Sequence, residues 1–237
     1  MESTVVNVCA AELIKLRGLR AVTLTIGLTV LGTAGVAMLQ VIAPPGNATA
    51  AEAVRASVQY AQLGFVLLGV LSVASEYDGS QIHTSLVSVP NRLLLLAGKA
   101  VTYLAVAAVA AAVTVAASYV AARSAKPADV GPAEVGPAGL GTFVGAAAYL
   151  VLIGLFAAAL ATIIRQLIAA MVATLALAMV VPPVLVTITR WADYLPSRAG
   201  MRLYDDSPDL LRGAAVLFAW LAIAHLAAAA AFTQRDA

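Results

Sequence analysis

Charge is scarce in this chain. Asp, Glu, Lys and Arg make up 11% of its 237 residues, whereas 62% are hydrophobic. Soluble domains carry roughly a quarter charged residues, and a water-soluble core of this length could not hide so much apolar surface. That excludes a soluble globular class. Fourteen basic residues against twelve acidic ones leave a net charge of +2, with no basic block interleaved with aromatics, so nucleic acid is excluded as a partner. The single cysteine, Cys9, permits neither an internal disulfide nor a thiolate metal site. A nucleotide-binding loop is missing as well. Such a loop needs a glycine-rich turn ending in Gly-Lys-Ser/Thr, but Gly98-Lys99 is followed by Ala100 and lacks the upstream glycine. The expectation is a non-enzyme that holds no cofactor or metal of its own.

What the chain does have is long apolar runs with no charge. They fall at 21–43, 56–75, 100–122, 140–164, 166–189 and 213–232. Runs of about 20 apolar residues are what a helix needs to cross a bilayer, where only a helix or a closed barrel satisfies its own backbone. The first run follows Lys15, Arg17 and Arg20 as in a signal peptide, but it is too long for one and reads as a retained helix. Pro44-Pro45-Gly46-Asn47, Gly131-Pro132 and Gly136-Pro137 break the pattern between runs. Only Arg165 and its neighbours separate the fourth run from the fifth, which predicts a tight helical hairpin. The fold expected is all-α: a single transmembrane domain over 1–237 with six spans. Residues 1–20 form an interfacial amphipathic helix ahead of them, with Val6, Cys9, Leu13 and Leu16 on its apolar face and Asn7, Glu12 and Lys15 opposite.

Six spans put both termini on one side. The basic residues then divide evenly, with Lys15, Arg17, Arg20, Arg92, Lys99, Arg165 and Arg235 on the terminal side. Arg55, Arg123, Lys126, Arg190, Arg198, Arg202 and Arg212 lie opposite. The first span decides the orientation, because three basic residues precede it and only Arg55 follows it. Both termini are therefore expected in the cytoplasm.

Between the second and third runs lies a segment with a helical period of its own. Ile82, Leu86 and Val89 share one face of a short helix at about 79–89; Gly79 and Ser80 suit its start, and Pro90 ends it. A rod held between two spans can seat its apolar face in a partner's groove and transmit force. The alternative is an ordinary connector that seals a hairpin. Glu76-Tyr77, Gln81-Ile82, Thr84-Ser85-Leu86, Pro90, Arg92 and then Lys99 resemble the loop of actinobacterial-style ABC-2 exporter permeases. The basic stretch before the first span, Arg165, Pro182-Pro183 and the terminal Arg235-Asp236-Ala237 are similar too. His83 and Asn91 depart from the family, which often has Arg at both places. The resemblance implies a bacterial cytoplasmic-membrane permease of six helices that pairs with a second permease subunit, identical or related. It also implies two cytoplasmic ATPase subunits, which bind the ATP and Mg, coupled through residues 76–92. The implied function is export of a hydrophobic or amphipathic compound: a drug, antibiotic, peptide or lipid-like molecule. The competing function is an immunity or sensor subunit that binds a peptide antibiotic without moving it.

Polar residues inside the runs are few. Thr25, Thr29 and Thr33 repeat every four residues, so they line a substrate path or dimer seam, or else pack closely with each hydroxyl bonded to its own helix. Tyr60 and Gln62 suit an interfacial belt, as do Trp191, Tyr194 and Tyr204 in the longest loop. His225 is alone in the last run, as a proton relay or a single hydrogen bond to a neighbouring helix. Pro182-Pro183 predicts a kink with freed carbonyls. Asp205, Asp206 and Asp209 could gather a hard cation, but Arg198, Arg202 and Arg212 nearby favour a solvated mixed-charge loop. One histidine and no Asp, Glu, Lys or Arg within the six runs leave too little for membrane-embedded catalysis.

Overall fold

The computed structural model describes residues 2–43, 48–78, 92–125, 137–205 and 207–234. Among them there is helix and no strand. In chain order the helices are α1 (Glu2–Gly18), α2 (Arg20–Ile42), α3 (Ala50–Asp78), α4 (Arg92–Ser124), α5 (Pro137–Ile164), α6 (Leu167–Leu175), α7 (Val181–Val186), α8 (Pro196–Met201) and α9 (Leu210–Gln234). A π-helical turn, Ala176–Val180, joins α6 to α7, and a 3₁₀ turn, Arg190–Tyr194, precedes α8. Six helical stretches are long and apolar enough to cross a membrane: Arg20–Ile42, Ala50–Ser75, Leu93–Ser124, Gly139–Ile164, Leu167–Val186 and Leu210–Gln234. The chain is therefore of the multi-pass membrane class, as its composition requires.

Several helices outrun the apolar runs that announce them. α3 starts six residues before position 56 because Thr49 and Glu52 form a capping box. The Glu52 carboxylate accepts from the Thr49 backbone N–H at 2.7 Å, and the Thr49 hydroxyl accepts from the Glu52 N–H at 3.2 Å. α4 begins at Arg92, so Lys99 lies inside a helix of 33 residues. At 1.5 Å per residue that helix is about 50 Å long, well beyond a hydrocarbon core of about 30 Å.

The core is built on α3 and α5, which make the largest contact in the bundle. They touch through glycine. A Cβ on Gly69 would lie 2.0 Å from the Gly154 carbonyl oxygen, and one on Gly154 would lie 2.4 Å from the Phe65 carbonyl oxygen. Small residues let helices in a bilayer approach this closely, so that dispersion contacts replace a hydrophobic drive that lipid does not supply. In its most apolar stretch α3 is 61% buried, whereas α2 is 17% buried. Leu24, Leu28 and Leu31 of α2 point outward.

The two ends of the bundle differ. At one end α2, α3 and α4 meet through Ala37, Val41, Ala50, Ala53 and Ala122. At the other, α1 folds back along the start of α4, with Val8 against Gly98, and Val8, Leu95 and Phe232 form a small cluster joined by Tyr77. The face of α1 that packs inward is Val8, Glu12 and Leu16, while Val6 is 65% exposed. This corrects the amphipathic reading of residues 1–20, which put Glu12 outward. Of the four residues read as the apolar face only Leu16 is buried, and an acidic residue with a buried basic partner takes its place on the packed face.

Candidate functional site

The terminal end of the bundle holds what is described of the segment that resembles a coupling loop. Glu76 and Tyr77 lie in the last turn of α3, and Arg92 is the first residue of α4. Gly79, Ser80, Gln81, Ile82, His83, Thr84, Leu86, Val89 and Pro90 lie outside the described residues, and with them the short helix read over 79–89. Both flanks of that segment are anchored in the same place. The Tyr77 ring lies under the Arg165 guanidinium, 5.7 Å from its centroid, and Arg165 Nη2 donates to the Ala231 carbonyl at 3.0 Å. Arg165 therefore ties the end of α3, the two-residue turn between α5 and α6, and the end of α9 together. Its backbone is held at φ 60°, the left-handed region that a non-glycine residue occupies only when its surroundings hold it there.

The start of α4 is fixed by an ion pair. Lys99 Nζ lies 2.9 Å from Glu12 Oε2, with the side chains 4% and 7% exposed, and Lys15 approaches the other carboxylate oxygen at 3.6 Å. The Thr102 hydroxyl donates to the Cys9 carbonyl one turn along, at 3.3 Å. Charges this deeply buried persist only when paired. Sequence reasoning missed the pair, because Glu12 and Lys99 are far apart in the chain and each reads singly as an end-of-helix charge. The expectation that no charged residue lies within a span fails for the same reason: α4 carries Lys99 into the packed bundle.

The other singled-out residues scatter. Thr29 Oγ1 donates to the Thr25 carbonyl at 2.6 Å and Thr33 Oγ1 to the Thr29 carbonyl at 2.5 Å. Thr29 packs on Gly64 of α3. His225 Nδ1 lies 2.9 Å from Leu221 O of its own helix, where a bond to a neighbouring helix had been the expectation. Trp191 is 75% exposed, but Tyr204, read as a similar anchor, is buried. Burial first, and the Asp205 carboxylate second, push its phenol well above its ordinary range. Among the described residues no group of three His, Cys, Asp or Glu could hold a metal.

A second polar region lies nearer the other end. Gln62, expected in an interfacial belt, is buried and accepts a hydrogen bond from the Tyr149 hydroxyl, whose ring packs on Tyr204 at 5.4 Å. α8 turns into the bundle, with Pro196, Ser197, Ala199 and Gly200 buried. Gly200 meets the Tyr149 ring, and Gly145 of α5 lies against the Leu203 carbonyl. Above them the fifth span is irregular. Pro182 and Pro183 lack the N–H groups that a regular helix would offer to the carbonyls of Ala178 and Met179. The π turn at Ala176–Val180 absorbs the break, with the Val181 N–H bonded to the Ala176 carbonyl. The kink read from the paired prolines is thus taken up by a π turn that ends two residues before Pro182.

No family model and no curated protein matches this chain.

Proposed function

We propose that the chain is the membrane permease subunit of an ABC-type exporter, seated in a bacterial cytoplasmic membrane with both termini inside. ATP hydrolysis is then carried out by separate cytoplasmic subunits, and a second permease subunit completes the path for a hydrophobic or amphipathic cargo. The observation that carries the reading is the setting of residues 79–91. The segment resembles a coupling loop in sequence, and its flanks are secured at Tyr77 through Arg165 and at Leu95 and Lys99 through α1. Force applied to a lever reaches the spans only if both of its ends are fixed to them. Here one end joins α3, which contributes most to the core, and the other joins α4.

The test uses the single native cysteine. In a Cys9→Ala background, Leu86→Cys is expected to react with a membrane-impermeant maleimide in inverted vesicles and not in intact cells. The full chain, co-expressed with an ABC ATPase where one is encoded beside it, should retain that ATPase on an affinity column, and Ile82→Asp with Leu86→Asp should release it. Labelling of position 86 from outside the cell would end the proposal.

A further inference from the structure

Between α3, α5, the broken fifth span and α8 lies a cavity of about 140 Å³, lined among others by Gln62, Tyr149, Ser197, Met201 and Tyr204. One water takes roughly 10–15 Å³ by the same measure, so the space admits a small chemical group and not merely a solvent molecule. Its polar lining is both donor and acceptor. The Gln62 carbonyl is engaged by the Tyr149 hydroxyl, which leaves its NH₂ to offer. Ala178 and Met179, whose carbonyls the prolines deprive of regular helical partners, are also lining residues. The decisive group is Ser197: it is 4% exposed, it lines the cavity, and its Oγ is buried with no hydrogen-bond partner. A buried hydroxyl left unmatched is destabilising, so a partner in the cavity toward which that hydroxyl turns recovers the cost.

Charge narrows the ligand. The one ionised lining residue, Arg198, stands at a rim where its side chain is 38% exposed, with Asp193 at 3.5 Å. The inner polar groups are all neutral, including Tyr204, whose phenol stays protonated. Burying an ion among neutral groups is far costlier than burying an amide or a hydroxyl. Met179, Met201 and the proline rings supply apolar wall beside them.

We infer that this cavity is a binding site for the uncharged amide or hydroxyl head of an amphiphilic molecule, with the Ser197 hydroxyl as a recognition group. The assignment stands apart from the ATPase reading and is tested without any ATPase.

The experiment measures radiolabelled dodecanamide retained by the full chain in phosphatidylcholine nanodiscs, above protein-free discs. Saturable retention is expected, with dodecyl phosphate and dodecyltrimethylammonium competing at least about tenfold less well. Ser197→Ala should keep or raise its unfolding midpoint, because the hydroxyl has no partner to lose and its burial is uncompensated, yet bind dodecanamide about three- to tenfold more weakly, the worth of one hydrogen bond. Ala178→Met, which fills the cavity from its wall, should abolish retention. Full affinity in folded Ser197→Ala, or in Ala178→Met, would overturn the site. A charged dodecyl probe binding as well as the amide would overturn the neutral head, and acetamide binding as tightly would overturn the amphiphile.

Discussion

Glu12 and Lys99 show how much one pair of side chains decides here. Held 2.9 Å apart and almost wholly buried, they fix α1 to the start of α4. Losing one member strands a buried charge, which costs about 3–5 kcal/mol, whereas replacing both with apolar groups of like size is often neutral. Glu12→Met and Lys99→Met should therefore each lower the denaturation midpoint markedly, and the two combined should recover most of the loss. A double-mutant cycle read by tryptophan fluorescence in denaturant checks this, and additive losses would show that the two side chains do not act as a pair. None of this was legible in the sequence. Helical periodicity reports which residues share a face, but not which distant face they meet.

Among the elements, glycine sorts helix faces into those that touch a neighbour and those that turn outward. Gly69 and Gly154 stand where α3 and α5 nearly collide, and the obstructing atoms for Gly69 include a backbone carbonyl that cannot rotate away. Gly27 and Gly35 on α2 meet nothing within 4 Å. Gly69→Ala should lower stability by about 1–3 kcal/mol or more through overpacking. Gly27→Ala should be neutral or gain up to about 1 kcal/mol from helix propensity, both read as shifts in a thermal unfolding midpoint. In sequence the two kinds of glycine look alike, since both sit in apolar runs. The capping box at Thr49 and Glu52 was legible in principle. Its Thr-x-x-Glu spacing marks the start of α3 more sharply than apolarity does, because the first turns of that helix carry Glu52 and Arg55 and lower the hydropathy where the helix already runs.

For the molecule as a whole, helices that cross in alternation separate its features into two ends. α1, Tyr77, Lys99, Arg165 and Phe232 gather at one, and the junction of α2 with α3 lies at the other. In a Cys9→Ala background, Ala10→Cys and Ser207→Cys should therefore react with an impermeant maleimide from opposite faces of the membrane, whichever face is inside. Reaction of both from the same face would mean that one of the five spans between them does not cross.

Apolar runs of spanning length fixed the class of the fold by themselves, because a run of about 20 residues in lipid satisfies its backbone as a helix, whereas a barrel strand needs about half that length. The six runs, the breakers between them and the proline break in the fifth span are properties of local composition. Which helices stand at the centre, which charge finds its partner and which loop turns inward with a solitary hydroxyl are matters of three-dimensional complementarity. Each depends on surfaces that residues far apart in the chain build together, and only the folded bundle brings those residues into contact.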